Sequence, residues 1–115
     1  MLQSIAESLG LSAEEYRALI AVRDGLRAGK LRLDMHNGDC CIAGHMQAHV
    51  GKRFFTTEVG RLDQTHLLRQ LCYPPVLHKR WLWFDWQREN PGWQATPAQA
   101  ADAIDRVLLG VNPWT

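Results

Sequence analysis

Two of the three cysteines and two of the five histidines fall within residues 39–50, Asp-Cys-Cys-Ile-Ala-Gly-His-Met-Gln-Ala-His-Val. Thiolate and imidazole are both zinc ligands, and a thiol in the first turn of a helix is acidified by the unpaired N–H groups there. Spacing decides what these groups can do together. On a helix, Cys41 and His45 share a face one turn apart, as do His45 and His49. All three cannot hold one ion, because Cys41 and His49 would stand about 12 Å apart along the axis. A metal site therefore needs ligands from other elements, with Cys72, His36, His66 and His78 as the pool. Cys41, His45 and Cys72 form the conditional metal set. No Cys-x-x-Cys or His-Glu-x-x-His spacing supports it, so no metal and no cofactor is assigned. A nucleophilic Cys40 or Cys41 would need His36 or His45 as its base. His45 lies a turn below Cys41 on the same helix, a poor position for taking its proton. Asp39 as an anionic cap also opposes the dipole and raises a thiol pKa. No catalytic residue is assigned, and the chain is expected not to be an enzyme.

A second group of residues suits binding rather than catalysis. Trp81, Trp83 and Trp86 fall within the six residues 81–86, flanked by Lys79, Arg80, Arg88 and Trp93. In an extended chain Trp81 and Trp83 face one way, while Leu82, Phe84 and Trp86 face the other. A domain this small can bury one of those sides more easily than both. Tryptophan and arginine are also enriched among the residues that dominate binding interfaces. Between His49 and Arg80, six Lys and Arg residues stand against Glu58 and Asp63, a net +4. Cations beside aromatics are what single-stranded nucleic acid binding combines. Asp85, Glu89, Asp102 and Asp105 follow closely, however, and no helix-turn-helix pattern is present.

The elements that must position these groups read as helices. Leu2, Ile5, Ala6 and Leu9 repeat at helical spacing before Gly10. Ser12 and Glu15 form a capping box, with Leu11 and Tyr16 at the staple positions, and the helix stops near Gly29. Residues 31–35 alternate apolar and polar, and residues 53–59 hold Phe54, Phe55, Thr56 and Thr57. The first is a short strand or an extended lead-in, and the two stretches are the candidates for a small two-stranded β element. Asp39 is the expected N-cap of a helix over residues 40–50 closed by Gly51, and Asp63 that of a helix over residues 64–71 ended by Pro74-Pro75. Thr96, Pro97 and Gln99 announce a last helix. Its apolar face is Ala100, Ala101, Ile104, Val107 and Leu108, with Asp102 and Arg106 paired on the other side and Gly110 as its stop.

The 115 residues suit one domain spanning 1–115, and 46% hydrophobic with 22% charged residues is a globular composition, not a disordered one. A net charge of +1 gives no whole-molecule field toward nucleic acid or membrane. The N-terminus lacks the order of a signal peptide, and no apolar run approaches the roughly 18–20 residues of a membrane span. An odd cysteine count with two adjacent thiols points to reduced cysteines and a cytoplasmic setting.

Three segments carry a resemblance: Cys41-Ile42-Ala43-Gly44-His45, Cys72-Tyr73-Pro74-Pro75 and Thr96-Pro97-Ala98-Gln99-Ala100-Ala101. In this order they resemble a set of short uncharacterised bacterial and phage proteins. That set shares Cys-Gly-Thr before Cys-Ile-Ala-Gly-Trp, then a Phe-Tyr-Pro stretch, then a Thr-Pro-x-Gln-Ala-Ala helix. The likeness covers about residues 31–109. Here Asn37-Gly38 stands in place of the upstream Cys-Gly, and His45 in place of the tryptophan. The resemblance implies a fold and no activity, with residues 41–44 as a tightly packed hub.

The expectation is a mainly α single domain of four or five short helices. It binds another macromolecule without catalysis, foremost a protein, through Lys79, Arg80, Trp81, Trp83, Trp86, Arg88 and Trp93. One concrete form is a phage or mobile-element inhibitor of a nucleic-acid-processing complex, of the anti-CRISPR kind. The alternatives are a nucleic-acid-binding module using the same basic and aromatic segment, or a Cys/His metal-binding regulatory protein.

Overall fold

Strong caps set the helix boundaries. In the computed structural model, which describes residues 2–37, 41–51, 66–72 and 88–114, these residues form five helices and no strand. They are α1 (Leu2–Ser8), α2 (Ala13–Arg27), α3 (Ile42–Val50), α4 (Leu67–Cys72) and α5 (Pro97–Leu108). The chain is mainly α, as its periodicity requires. The capping boxes Ser12/Glu15 and Thr96/Gln99 both close reciprocally. The helices α2 and α5 also end alike. A glycine at φ +71° (Gly29) or +76° (Gly110) takes the left-handed conformation that other residues resist. The N–H after it then bonds back to the last turn, Lys30 to Gly25 O (2.9 Å) and Val111 to Arg106 O (3.0 Å).

Helix α2 is the centre of the packing, with α5 and α3 against it, α1 beside it, and α4 touching α5 and α3. Ala18, Leu19, Val22 and Leu26 of α2 meet Ile42, Ala43 and Met46 of α3, Leu68 and Leu71 of α4, and Ile104 and Val107 of α5 in one core. Three alanines of α5, Ala100, Ala101 and Ala103, are wholly buried, and their small side chains let neighbouring backbones approach closely. Ala103 joins this face and Leu108 is only half-buried, because α5 packs against both α2 and α4. The radius of gyration, 12.8 Å, matches the roughly 13 Å of one compact domain of this length.

Several local expectations are corrected. Residues 31–35 form no strand. Gln94 bonds their C-terminal end instead. Gln94 Oε1 accepts from Met35 N–H (2.9 Å) and Gln94 Nε2 donates to Asp34 Oδ1 (2.7 Å). One amide thus serves the extended segment where a second strand would otherwise be needed. The other proposed strand, residues 53–59, lies outside the described residues. Helix α3 starts at Ile42 with Cys41 as its N-cap, not at Cys40 behind Asp39. Cys41 is the residue in extended geometry, and its Sγ accepts from Gly44 N–H at 3.4 Å. Asp39, Cys40 and Asp63 lie outside the described residues. At α4 the capping acceptor is His66, whose Nδ1 accepts from Leu68 N–H (3.2 Å). Asp102 does not pair with Arg106. It accepts from Arg27 Nη2 (2.9 Å), which α2 brings closer, and Arg106 Nη1 turns to Pro113 O (3.0 Å).

Candidate partner-binding site

Of the residues expected to bind a partner, Lys79, Arg80, Trp81, Trp83 and Trp86 lie outside the described residues. Arg88 is exposed and Trp93 half-buried. The structure sets Trp93 against Trp114 edge to face, ring centroids 5.2 Å apart and planes at 89°. This is the geometry the ring quadrupoles prefer.

Local sequence builds this pair. Gly110 turns the chain back at the end of α5, and the C-terminal segment then runs along the helix. Asn112 Oδ1 accepts from Trp114 N–H (3.0 Å), the turn that asparagine side chains commonly make. Buried Pro113 offers its carbonyl to Arg106, and Trp114 Nε1 donates to Leu71 O of α4 (3.1 Å). Trp93 is held from the other side, because its carbonyl accepts from His36 Nε2 at 2.8 Å. A carbonyl can only accept, so this His36 nitrogen carries the proton.

An open depression of about 370 Å³ lies in front of the two rings, lined also by Gln94, Ala95, Gln99, Asp102 and Arg106. Most of its polar side chains already have structural tasks. Gln94 holds residues 34–35, Gln99 closes the capping box, and Asp102 takes Arg27. Arg106 is different. Only its bond to Pro113 engages it among the described residues, so most of its guanidinium fork remains for an acceptor. Nearby, Arg23 and Arg27 clasp Asp105 at 3.0 and 2.8 Å. The hydrogen bond from Arg27 is the chief reason that the Asp105 carboxyl is held below its usual range. Asp34 is likewise held low, first by Gln94 and then by the His36 N–H.

Trp114 and Arg106 were not legible as site residues. Nothing in the spacing places residue 114 beside residue 93, and the only local signal was Asn112-Pro113 after the glycine stop. Arg69, counted in the basic segment by sequence, is 3% exposed and adds nothing to a surface charge.

The Cys-His stretch is a packing element. Cys41 and Cys72 are free and buried. Burial pushes the Cys72 thiol well up, nearby Cys41 adds to this, and the Ala43 N–H offsets part of it. Both thiols therefore gather near the start of α3. His45 of the conditional metal set does not join them, because its Nε2 bonds the Arg32 carbonyl. His66 Nε2 bonds the Gly10 carbonyl at 3.0 Å, and His49 is exposed. Among the described residues no three His, Cys, Asp or Glu side chains converge to hold a metal. Among the same residues no helix is long and apolar enough to cross a membrane.

Comparison with protein families, with characterised proteins and with solved structures finds no match to this chain.

Proposed function

We propose that this chain is a non-catalytic macromolecule-binding protein whose partner is a protein, engaged through Lys79, Arg80, Trp81, Trp83, Trp86, Arg88 and Trp93, the last of these in the Trp93–Trp114 depression. The observation that supports it is the open 370 Å³ hollow with two tryptophan walls and an arginine whose fork is largely unengaged. Tryptophan and arginine are the residues from which interface hot spots are most often built. The Trp114 ring is fixed in advance by its hydrogen bond to Leu71, and the backbones of Trp114 and Trp93 by Asn112 and His36, so less ordering entropy opposes docking. A partner side chain that enters the hollow would meet aromatic walls and a guanidinium. An inhibitor of a nucleic-acid-processing complex, of phage or mobile-element origin, is the concrete form we favour.

Co-purification from source cells tests the reading. Tagged wild type is compared with Trp93→Ala and with Trp83→Ala/Trp86→Ala, with folding of each checked by circular dichroism. The proposal expects one protein species to be retained by wild type and lost from both variants. Retention by both variants at wild-type levels would sink it. If the retained species is a single-stranded nucleic acid with a steep salt dependence, the nucleic-acid reading replaces it.

A further inference from the structure

A second depression, of about 380 Å³, opens between α2, α3 and the chain that leaves α2. It shares no residue with the Trp93 hollow. Its lining is hydrocarbon on one side: Ala21 and Val22 of α2, Ala48 of α3, and Leu31. Gly25 makes room for that leucine, since a Cβ there would stand 2.7 Å from Leu31 Cδ1. The polar lining is of one kind. Among the described residues it consists of Lys30, His45 and His49, with no carboxylate. The acid next to Gly25 in the chain, Asp24, is tied to Arg23 at 3.0 Å.

We propose that this hollow is a binding site for a small carboxylate with an aliphatic body of medium length. The hydrocarbon would lie against Ala21, Val22, Leu31 and Ala48. The charged end would meet Lys30 and His49, both exposed and able to reorient at little cost. His45 completes the arrangement. Its Nε2 donates to the Arg32 carbonyl, which fixes its ring in the lining. The volume lies within the range of small-molecule sites. Charge complementarity selects the anion over a neutral or cationic amphiphile. A peptide fits less well, because its backbone N–H groups need acceptors and the side chains of the described lining offer only imidazole nitrogens as acceptors.

The test is a titration of the full chain with octanoate at pH 7, followed by amide chemical shifts, with octan-1-ol as the uncharged match. The expected result is saturable shifts at Lys30, Ala48 and His49, with octanoate at least about fivefold tighter than octanol. Lys30→Gln/His49→Gln should bring octanoate down to the level of octanol. Ala48→Phe, a change at an exposed helix position, should block both ligands. The proposal is overturned if octanol binds as tightly as octanoate, if Ala48→Phe leaves binding unchanged, or if the shifts map to Trp93. An acetylated tripeptide ending in leucine that matches octanoate would also overturn it, assigning the hollow to peptide C-termini.

Discussion

Replacing Trp114 with alanine should cost the protein about 3 kcal/mol and remove one wall of the candidate site. The indole is half-buried against the core, and deleting a fully buried tryptophan side chain costs ~3–5 kcal/mol, so about half of that applies here. The hydrogen bond from Nε1 to Leu71 O adds about 1 kcal/mol, because its loss leaves that carbonyl unpaired. Within the packing loss, the edge contact with Trp93 is worth about 1 kcal/mol. Urea unfolding followed by circular dichroism measures the total, and the fold should survive a total stability of ~5–15 kcal/mol. Two further variants separate the parts. Trp114→Phe keeps much of the ring and loses the hydrogen bond, so about 1 kcal/mol is expected. The cycle Trp93→Ala, Trp114→Ala and the double variant should show a coupling of about 1 kcal/mol. A coupling below about 0.3 kcal/mol, or a Trp114→Ala cost under 1 kcal/mol, would refute the claim that the two rings brace one another.

Three further outcomes follow from the geometry. Asp105 is held below the usual carboxyl range by Arg27 and Arg23, so its contribution is present above its unfolded value near 4 and is lost as pH falls through the lower folded value. Wild type should therefore lose stability more steeply below pH 4 than Asp105→Asn does, as read by thermal melts across that range, and parallel curves would refute it. His66→Ala should cost about 1–2 kcal/mol, since it removes both the cap on Leu68 and the bond to Gly10. His66→Asn should recover part of this by restoring the cap, and equal losses in urea unfolding would contradict the capping role. Cys72, buried with its thiol pushed well up, should resist iodoacetamide at pH 8 in the native protein and react once unfolded, as followed by mass spectrometry.

The fold was legible where local chemistry acts alone. Ser12 with Glu15, and Thr96 with Pro97 and Gln99, set helix starts that no distant contact could move, and Gly10, Gly29, Gly51 and Gly110 set the ends. Legibility failed where one side chain substitutes for another's role. A cysteine sulfur and an imidazole took capping positions that carboxylates normally fill, at Cys41 and His66. A glutamine amide took the place of a partner strand beside residues 34–35. The paired charges failed for a related reason. Helix spacing suggested Asp102 with Arg106, but α2 presents Arg27 to Asp102, and residue distances along one helix carry no information about that approach. Among the described residues that line the hollow, Trp93 is the one the sequence pointed to. Its partner Trp114 comes from the far end of the chain, through a return that begins at a glycine and is fixed by Asn112 and Pro113.

The proposed role of the Trp93–Trp114 hollow is to dock a protein partner. The most direct test is the affinity of the co-purified partner for wild type, for Trp93→Ala, and for Arg17→Ala, an exposed change on α2 away from the hollow. Trp93→Ala should weaken binding by at least about tenfold, the scale of an interface hot spot, while Arg17→Ala should leave it unchanged. Equal affinity of Trp93→Ala and wild type, with both shown to be folded, would contradict it.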